Sequence, residues 1–130
     1  GEEEQMFSHV MIGTNDLDKA KAFYDALLGT LDVRPARVDG HRVFYITKTG
    51  VFSVSKPIDG KAATAANGGT IGFAASSPEQ VDAWHKAGIA AGGTAIEDPP
   101  GIRQGSGAKL YLAYLRDLDG NKICAMHRMT

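Results

Sequence analysis

Residues Lys109 to Arg128, KLYLAYLRDLDGNKICAMHR, read as a strand, a tight turn and a second strand. Leu110, Leu112 and Tyr114 alternate with Tyr111, Ala113 and Leu115. An alternation with period two sends the two sets to opposite faces of a sheet. Asp119-Gly120 supplies the turn, because both residues tolerate the positive φ that hairpin turns require. On the return strand, Lys122 to Arg128, Ile123 and Ala125 share one face and Cys124 and Met126 the other.

Upstream of this hairpin the chain builds a strand–helix–strands pattern twice. Phe7 to Gly13 alternates as a strand, with Val10 and Ile12 on one side and His9 and Met11 on the other. Asn15-Asp16 offers a helix N-cap, and Asp18 follows in the first turn, where the helix dipole favours it. Leu17, Ala20, Tyr24, Leu27 and Leu28 make one apolar stripe, and Gly29 suits the helix end. Three short strands are expected next, around Leu31 to Arg37, Arg42 to Thr47 and Val51 to Ser55, with turns at Asp39-Gly40 and Thr49-Gly50. The small, polar stretch 57–68 reads as a linker. Thr70 to Ala75 then resumes as a strand, Ser77-Pro78-Glu79-Gln80 as a capped helix start, and Gly92-Gly93 as its end. The helix between carries Val81, Trp84 and Gly88 on one face.

The halves overlay at one offset. Val10 to Ile71, Ile12 to Phe73, Asp16 to Ser77 and Phe23 to Trp84 are each 61 residues apart, as in 71 − 10 = 61. Such self-similarity marks an internal repeat. Ser53 and Cys124 differ by 124 − 53 = 71, so the second half holds ten extra residues, expected in a loop from Glu97 to Lys109. The expected organisation is one domain over 1–130: module 1 at about 6–56, the linker 57–68 and module 2 at about 69–128.

With 130 residues, 43% hydrophobic and 22% charged, the chain suits one folded unit with a sizeable core. A net charge of −1 without a basic stripe argues against nucleic acid or an anionic membrane as partner. No apolar run approaches the length of a membrane span. Glu2, Glu3 and Glu4 replace the basic start of a secretory signal, and one cysteine makes no internal disulfide. A cytoplasmic location is the expectation.

Asp117-Leu118-Asp119-Gly120-Asn121-Lys122-Ile123 resembles the D-P-D-G-N-x-I-E segment near the end of proteins of the vicinal oxygen chelate superfamily. That group includes glyoxalase I, bleomycin-resistance proteins and extradiol dioxygenases. Ser8-His9-Val10 and the run Asn15 to Tyr24 carry the resemblance at the other end, and the repeat extends it over nearly the whole chain. The resemblance implies an α+β fold of two βαβββ modules whose sheets form a concave half-barrel cleft, with helices outside. On that assignment Val10, Ile12, Phe52, Val54, Ile71, Phe73, Ile123 and Ala125 face helices. His9, Met11, Ser53, Ser55, Thr70, Cys124 and Met126 face the cleft.

Metal-dependent members of the family carry His, Gln or Glu ligands at four cleft positions, on the first and last strand of each module. A divalent ion there, zinc, nickel, manganese or iron, binds two substrate oxygens and stabilises an enediolate-like oxyanion. The matching residues are His9, Ser53, Thr70 and Cys124. Only His9 is a standard ligand, and Cys124 stands where Glu is expected, so no metal is expected and the metal-bound state is the lesser alternative. Without Glu at either last-strand position, the base for a glyoxalase-type isomerisation is missing, and a Cys124–His9 pair is a thin substitute.

The resemblance therefore implies a glyoxalase/bleomycin-resistance-like protein that binds a small organic molecule. If it is an enzyme, the reaction is of lyase, isomerase or dioxygenase type, such as that of a lactoylglutathione lyase. The alternative is a metal-free protein that sequesters a small molecule or antibiotic without catalysis. Expected ligand-binding residues are His9, Met11, Ser53, Thr70, Tyr111, Cys124 and Met126. Arg103 in the expected loop is a candidate partner for an anionic substrate, against the plain reading of a solvated charge. His41, His127 and Arg128 read as exposed and His85 as half-buried packing. Asp117 to Gly120 lacks the order of a calcium loop, and Gly105 to Lys109 that of a phosphate loop. Family members are commonly dimers, some by exchange of modules, so a homodimer is expected.

Overall fold

A computed structural model describes residues 4–105 and 107–129. The first module runs β1 (Val10–Gly13), α1 (Leu17–Gly29), β2 (Arg37–Asp39), β3 (Arg42–Ile46) and β4 (Val51–Ser55). The second runs β5 (Ile71–Ala74), α2 (Pro78–Ala90), β6 (Thr94–Gly105), β7 (Ala108–Arg116) and β8 (Lys122–Arg128). Each module makes one four-stranded sheet, ordered β1-β4-β3-β2 and β5-β8-β7-β6. In both, the first strand pairs in parallel with the last, and the other pairs are antiparallel. The fold is α+β with two βαβββ modules, as the repeat implied.

The offset of 61 holds for the first strand and the helix of each module: β1 maps to β5, and the two 13-residue helices start at Leu17 and Pro78. The helix starts are chemically alike. Asp16 accepts from Lys19 N and Ser77 accepts from Gln80 N, each satisfying one orphan amide of the first turn. Pro78 sits at the first helical position, where its missing N–H costs nothing.

The apolar stripes predicted for the helices become a shared core. Phe23, Tyr24, Leu27 and Leu28 of α1 and Val81 and Trp84 of α2 are buried with Val43, Tyr45, Phe52, Val54, Leu115, Ile123 and Ala125. Phe52 of the first sheet meets Phe73 of the second edge-to-face, with ring centres 5.1 Å apart. Gly88 lets the helices close: a Cβ there would stand 2.3 Å from Leu115 Cδ1 and 2.9 Å from Leu27 Cδ1. The helix-facing sides of both sheets thus belong to one core. No strand pairing joins the two sheets among the described residues, so they do not close into a barrel, and β1 and β5 each keep one unpaired edge.

Two local expectations are corrected. The strand expected at Leu31 to Arg37 is a turn and an irregular stretch, and β2 covers only Arg37–Asp39. Leu31 and Val33 pack against the core without strand pairing. The loop expected from Glu97 to Lys109 is largely strand. Its residues continue the β6–β7 hairpin from Gly101↔Leu112 to Gly105↔Ala108. Among the described residues the register breaks at Glu97–Pro100, four residues opposite Ala113 alone. The signals read as a loop, Pro99-Pro100-Gly101, mark that bulge.

Candidate functional site

The strand registers decide which side chains share the sheet faces that the helices leave free. In the first sheet, Met11↔Ser53↔Phe44 and Gly13↔Ser55↔Arg42 form cross-strand rows on that face. In the second, Gly72↔Cys124↔Tyr114 and Ala74↔Met126↔Leu112 do so. The five-residue turn Asp117 to Asn121 sets the second register. Asp117 N donates to Asn121 O, Gly120 N donates to Asp117 O, and Gly120 takes φ +89°.

Met11 is 42% exposed beside Ser53, which is fully buried. Ser53 Oγ donates to Val43 O at 2.9 Å, so its proton is held within the sheet. Cys124 is 8% exposed and Met126 half-buried on the second sheet. Thr70 is exposed just before β5. His9 is exposed just before β1, its Nδ1 2.8 Å from Ser8 Oγ. It lies at a cavity of about 570 Å³ between the modules, floored by Leu28, Phe52, Ile71 and Phe73. Tyr111 stands apart from this set. It alternates with Ala113 and Leu115 onto the helix-facing side, where its hydroxyl donates to Asp82 of α2 at 2.8 Å. His127 lies on that side too, half-buried, its Nδ1 3.0 Å from Ala75 O. His85 is half-buried on α2, and burial lowers its pKa against an opposing pull from Asp82.

The four metal-equivalent positions carry one imidazole, two hydroxyls and one thiol. The Ser53 hydroxyl donates to Val43 O, Thr70 is a neutral hydroxyl, and the Cys124 thiol is pushed up to about 11, chiefly by burial, with Lys122 working against that rise and Glu97 for it. A thiol held neutral is a poor nucleophile at ordinary pH. Among the described residues no three His, Cys, Asp or Glu side chains gather in metal-binding geometry.

The second sheet's free face has a richer lining. Leu112 is 7% exposed although no helix covers it, and Tyr114 is half-buried. Lys122 stands over the Tyr114 ring, 5.0 Å from its centre, and pairs with Glu97. Burial, then the neighbouring Cys124 and Glu97, raise the pKa of Tyr114. Glu97 adopts φ +59°, and the bulge it opens is held by Arg103. Leu112 and Tyr114 were recoverable from the sequence: the alternation that exposes Cys124 and Met126 to this face brings them along once the turn fixes the register. Lys122 and Glu97 meet only because of the bulge, which no sequence pattern announces.

The segment Asp117 to Asn121, which carries the family resemblance, serves elsewhere. Asp117 Oδ1 accepts from Asp119 N and Asn121 N, Oδ2 accepts from Tyr24 Oη, and Asn121 Nδ2 donates to both oxygens. Asn121 Nδ2 donates to Gly13 O, and Asn15 N donates to Asp119 Oδ1. The turn therefore clasps the β1–α1 junction of the first module.

Comparison with known proteins places this geometry. Residues 6–125 match the family model described as Glyoxalase/Bleomycin resistance protein/Dioxygenase superfamily. A crystal structure of a glyoxalase/bleomycin resistance protein from Albidiferax ferrireducens is 61% identical, covering 95% of this chain and 100% of that one, with a TM-score of 0.94. A lactoylglutathione lyase from Agrobacterium tumefaciens shares 20% identity over 96% of this chain and 95% of that one, at TM-score 0.67. A glyoxalase-related enzyme from Fulvimarina pelagi shares 17% over 95% and 88%, at 0.72. These last two show the fold alone. No curated, characterised protein matches the chain. With the family model spanning nearly its whole length and the two-module geometry in place, the chain belongs to the glyoxalase/bleomycin resistance protein/dioxygenase superfamily.

Proposed function

We propose that the protein binds a small organic molecule on the helix-free face of its second sheet, with Cys124, Met126, Leu112 and Tyr114 as the apolar bed. The observation that carries this reading is that the cross-strand rows Leu112–Met126 and Tyr114–Cys124 lie on a face that no helix covers. A concave, soft and mostly apolar surface with a few placed charges is the usual form of a small-molecule site. Thr70 lies at its edge, and Tyr111 is left out because it is engaged with Asp82.

The unpaired edges of β1 and β5 support a homodimer in which each face is completed by a second copy. His9, Met11 and Ser53 of one chain would then stand opposite Thr70, Cys124 and Met126 of the other. No helix among the described residues is long and apolar enough to cross a membrane. The cytoplasm is the compartment this reading assigns.

Retention without turnover is the form of the function that the chemistry favours. Lyase or isomerase chemistry needs a base beside the reacting carbon. The last-strand positions offer a hydroxyl whose proton is held within the sheet and a neutral thiol instead. The test is a ligand screen by thermal shift, followed by assay of each hit, and of the glutathione hemithioacetal used by glyoxalases, for turnover. Stabilising hits recovered unchanged support sequestration. Turnover of any of them assigns the enzyme reading, and no hits at all contradict the site.

A further inference from the structure

Resting on that site, the structure assigns it a charge preference: we infer that its ligand is an anion, a carboxylate on an apolar or aromatic body, and that Arg103 is the residue that selects it. Arg103 pairs with Leu110 in the hairpin, so it belongs to the same face as Leu112 and Tyr114. Gly101, two residues before it on that face, leaves the space its guanidinium occupies. A Cβ at Gly101 would come within 3.6 Å of Nη1.

The guanidinium is fixed by backbone alone. Nη1 donates to the carbonyls of Pro99 at 2.9 Å, Gly101 at 3.0 Å and Leu112 at 3.2 Å, and Nη2 donates to Asp98 O at 2.8 Å. An arginine carries five N–H groups on three nitrogens. Those contacts engage the two of Nη1 and one of Nη2. Among the described residues the Nε–H and one Nη2–H have no protein acceptor, and we take these two as the side edge of the fork. That edge is the shape that takes a carboxylate with two parallel hydrogen bonds.

Charge points the same way. Carbonyl partners orient the guanidinium without neutralising it, and no carboxylate of the described residues forms an ion pair with it. The register also puts Arg116, Lys122 and Arg128 on this face. Glu97 answers only Lys122. A face with this surplus, on a chain of net charge −1, concentrates anions. The body of the ligand lies on Leu112, Met126 and the Tyr114 ring.

The test uses benzoate and its neutral isostere benzamide, titrated into the full chain with the Met126 methyl resonance as the local readout. The expected result is that benzoate binds at least about tenfold tighter, the factor that a charge-assisted hydrogen bond supplies, and weakens as salt rises. Arg103→Gln removes the preference while leaving benzamide binding in place; Arg103→Lys, which keeps the charge but not the fork, restores part of it. If Arg103→Gln fails to fold, the wild-type ratio, its salt dependence and Arg103→Lys decide. Equal binding of both compounds at the Met126 site overturns the role of Arg103 and leaves the site standing. Binding of neither there overturns both.

Discussion

Tyr24 Oη donates a 2.5 Å hydrogen bond to Asp117 Oδ2, and both groups are buried. This single contact ties α1 of the first module to the turn of the last hairpin, 93 residues away. Asp117 takes three further donors from its own turn, so the carboxylate is the hub of the joint. Removing the Tyr24 hydroxyl leaves the buried Oδ2 with Asn121 Nδ2 as its remaining donor. Tyr24→Phe should destabilise the protein by about 1–3 kcal/mol, read by urea denaturation, without altering ligand affinity on the opposite face. A variant as stable as the parent would show that the clasp carries no weight.

The helix glycines should respond in opposite senses. Gly88→Ala drives a methyl into Leu115 and Leu27 and should cost about 1–3 kcal/mol. Gly29, with nothing within 4 Å of the built Cβ, should gain up to about 1 kcal/mol as alanine. Thermal melts of the two variants check this, and equal effects would contradict the helix packing described.

Alkaline pH should weaken the fold. Burial raises the pKa of the Cys124 thiol to about 11 and that of Tyr24 well above its usual value, the latter helped by Asp117. In the unfolded chain the thiol ionises near 9. Between those values the folded state holds more protons than the unfolded one, so stability falls as pH rises from about 9 to about 11. Melting temperature should decline across that window, and Cys124→Ala should flatten part of the decline. A thiol that reacts with Ellman's reagent at pH 8 as fast as in denaturant would refute the burial argument.

Sedimentation should report a dimer near twice the chain mass of 13.8 kDa. Met11→Glu, placed on the exposed face beside the free edge of β1, should shift the protein toward monomer while leaving its helical content intact. A wild-type monomer at micromolar concentration would remove the second copy from the site.

Much of the fold was legible because the repeat repeats its physics. Asp16 and Ser77 cap at the same offset that brings Phe23 onto Trp84, and both helices follow. Leu31 to Arg37 misled because Leu31 and Val33 are apolar for packing, not for pairing. The β6 arm was hidden by Pro99-Pro100, whose lost amides are tolerated in a bulge that Arg103 stitches with its side chain. The candidate site was half legible. Alternation located Cys124 and Met126, and the same alternation sends Tyr111 to the helix side. The Lys122–Glu97 pair and the fixed guanidinium of Arg103 depend on a bulge of long-range origin, which local pattern does not encode. The D-L-D-G-N segment carried the family resemblance, yet its side chains serve the joint between modules.

The central claim is that a ligand lies on the free face of the second sheet. Carbon-13 methyl labelling of the methionines tests it most directly, because Met6, Met11, Met126 and Met129 report four different places. On adding a thermal-shift hit, the Met126 methyl should move in a saturable way, joined by Met11 when a second copy completes the site, while Met6 stays fixed. A saturable hit that leaves Met126 unmoved would contradict the account and direct attention to the cavity between the modules, beside His9 and Phe73.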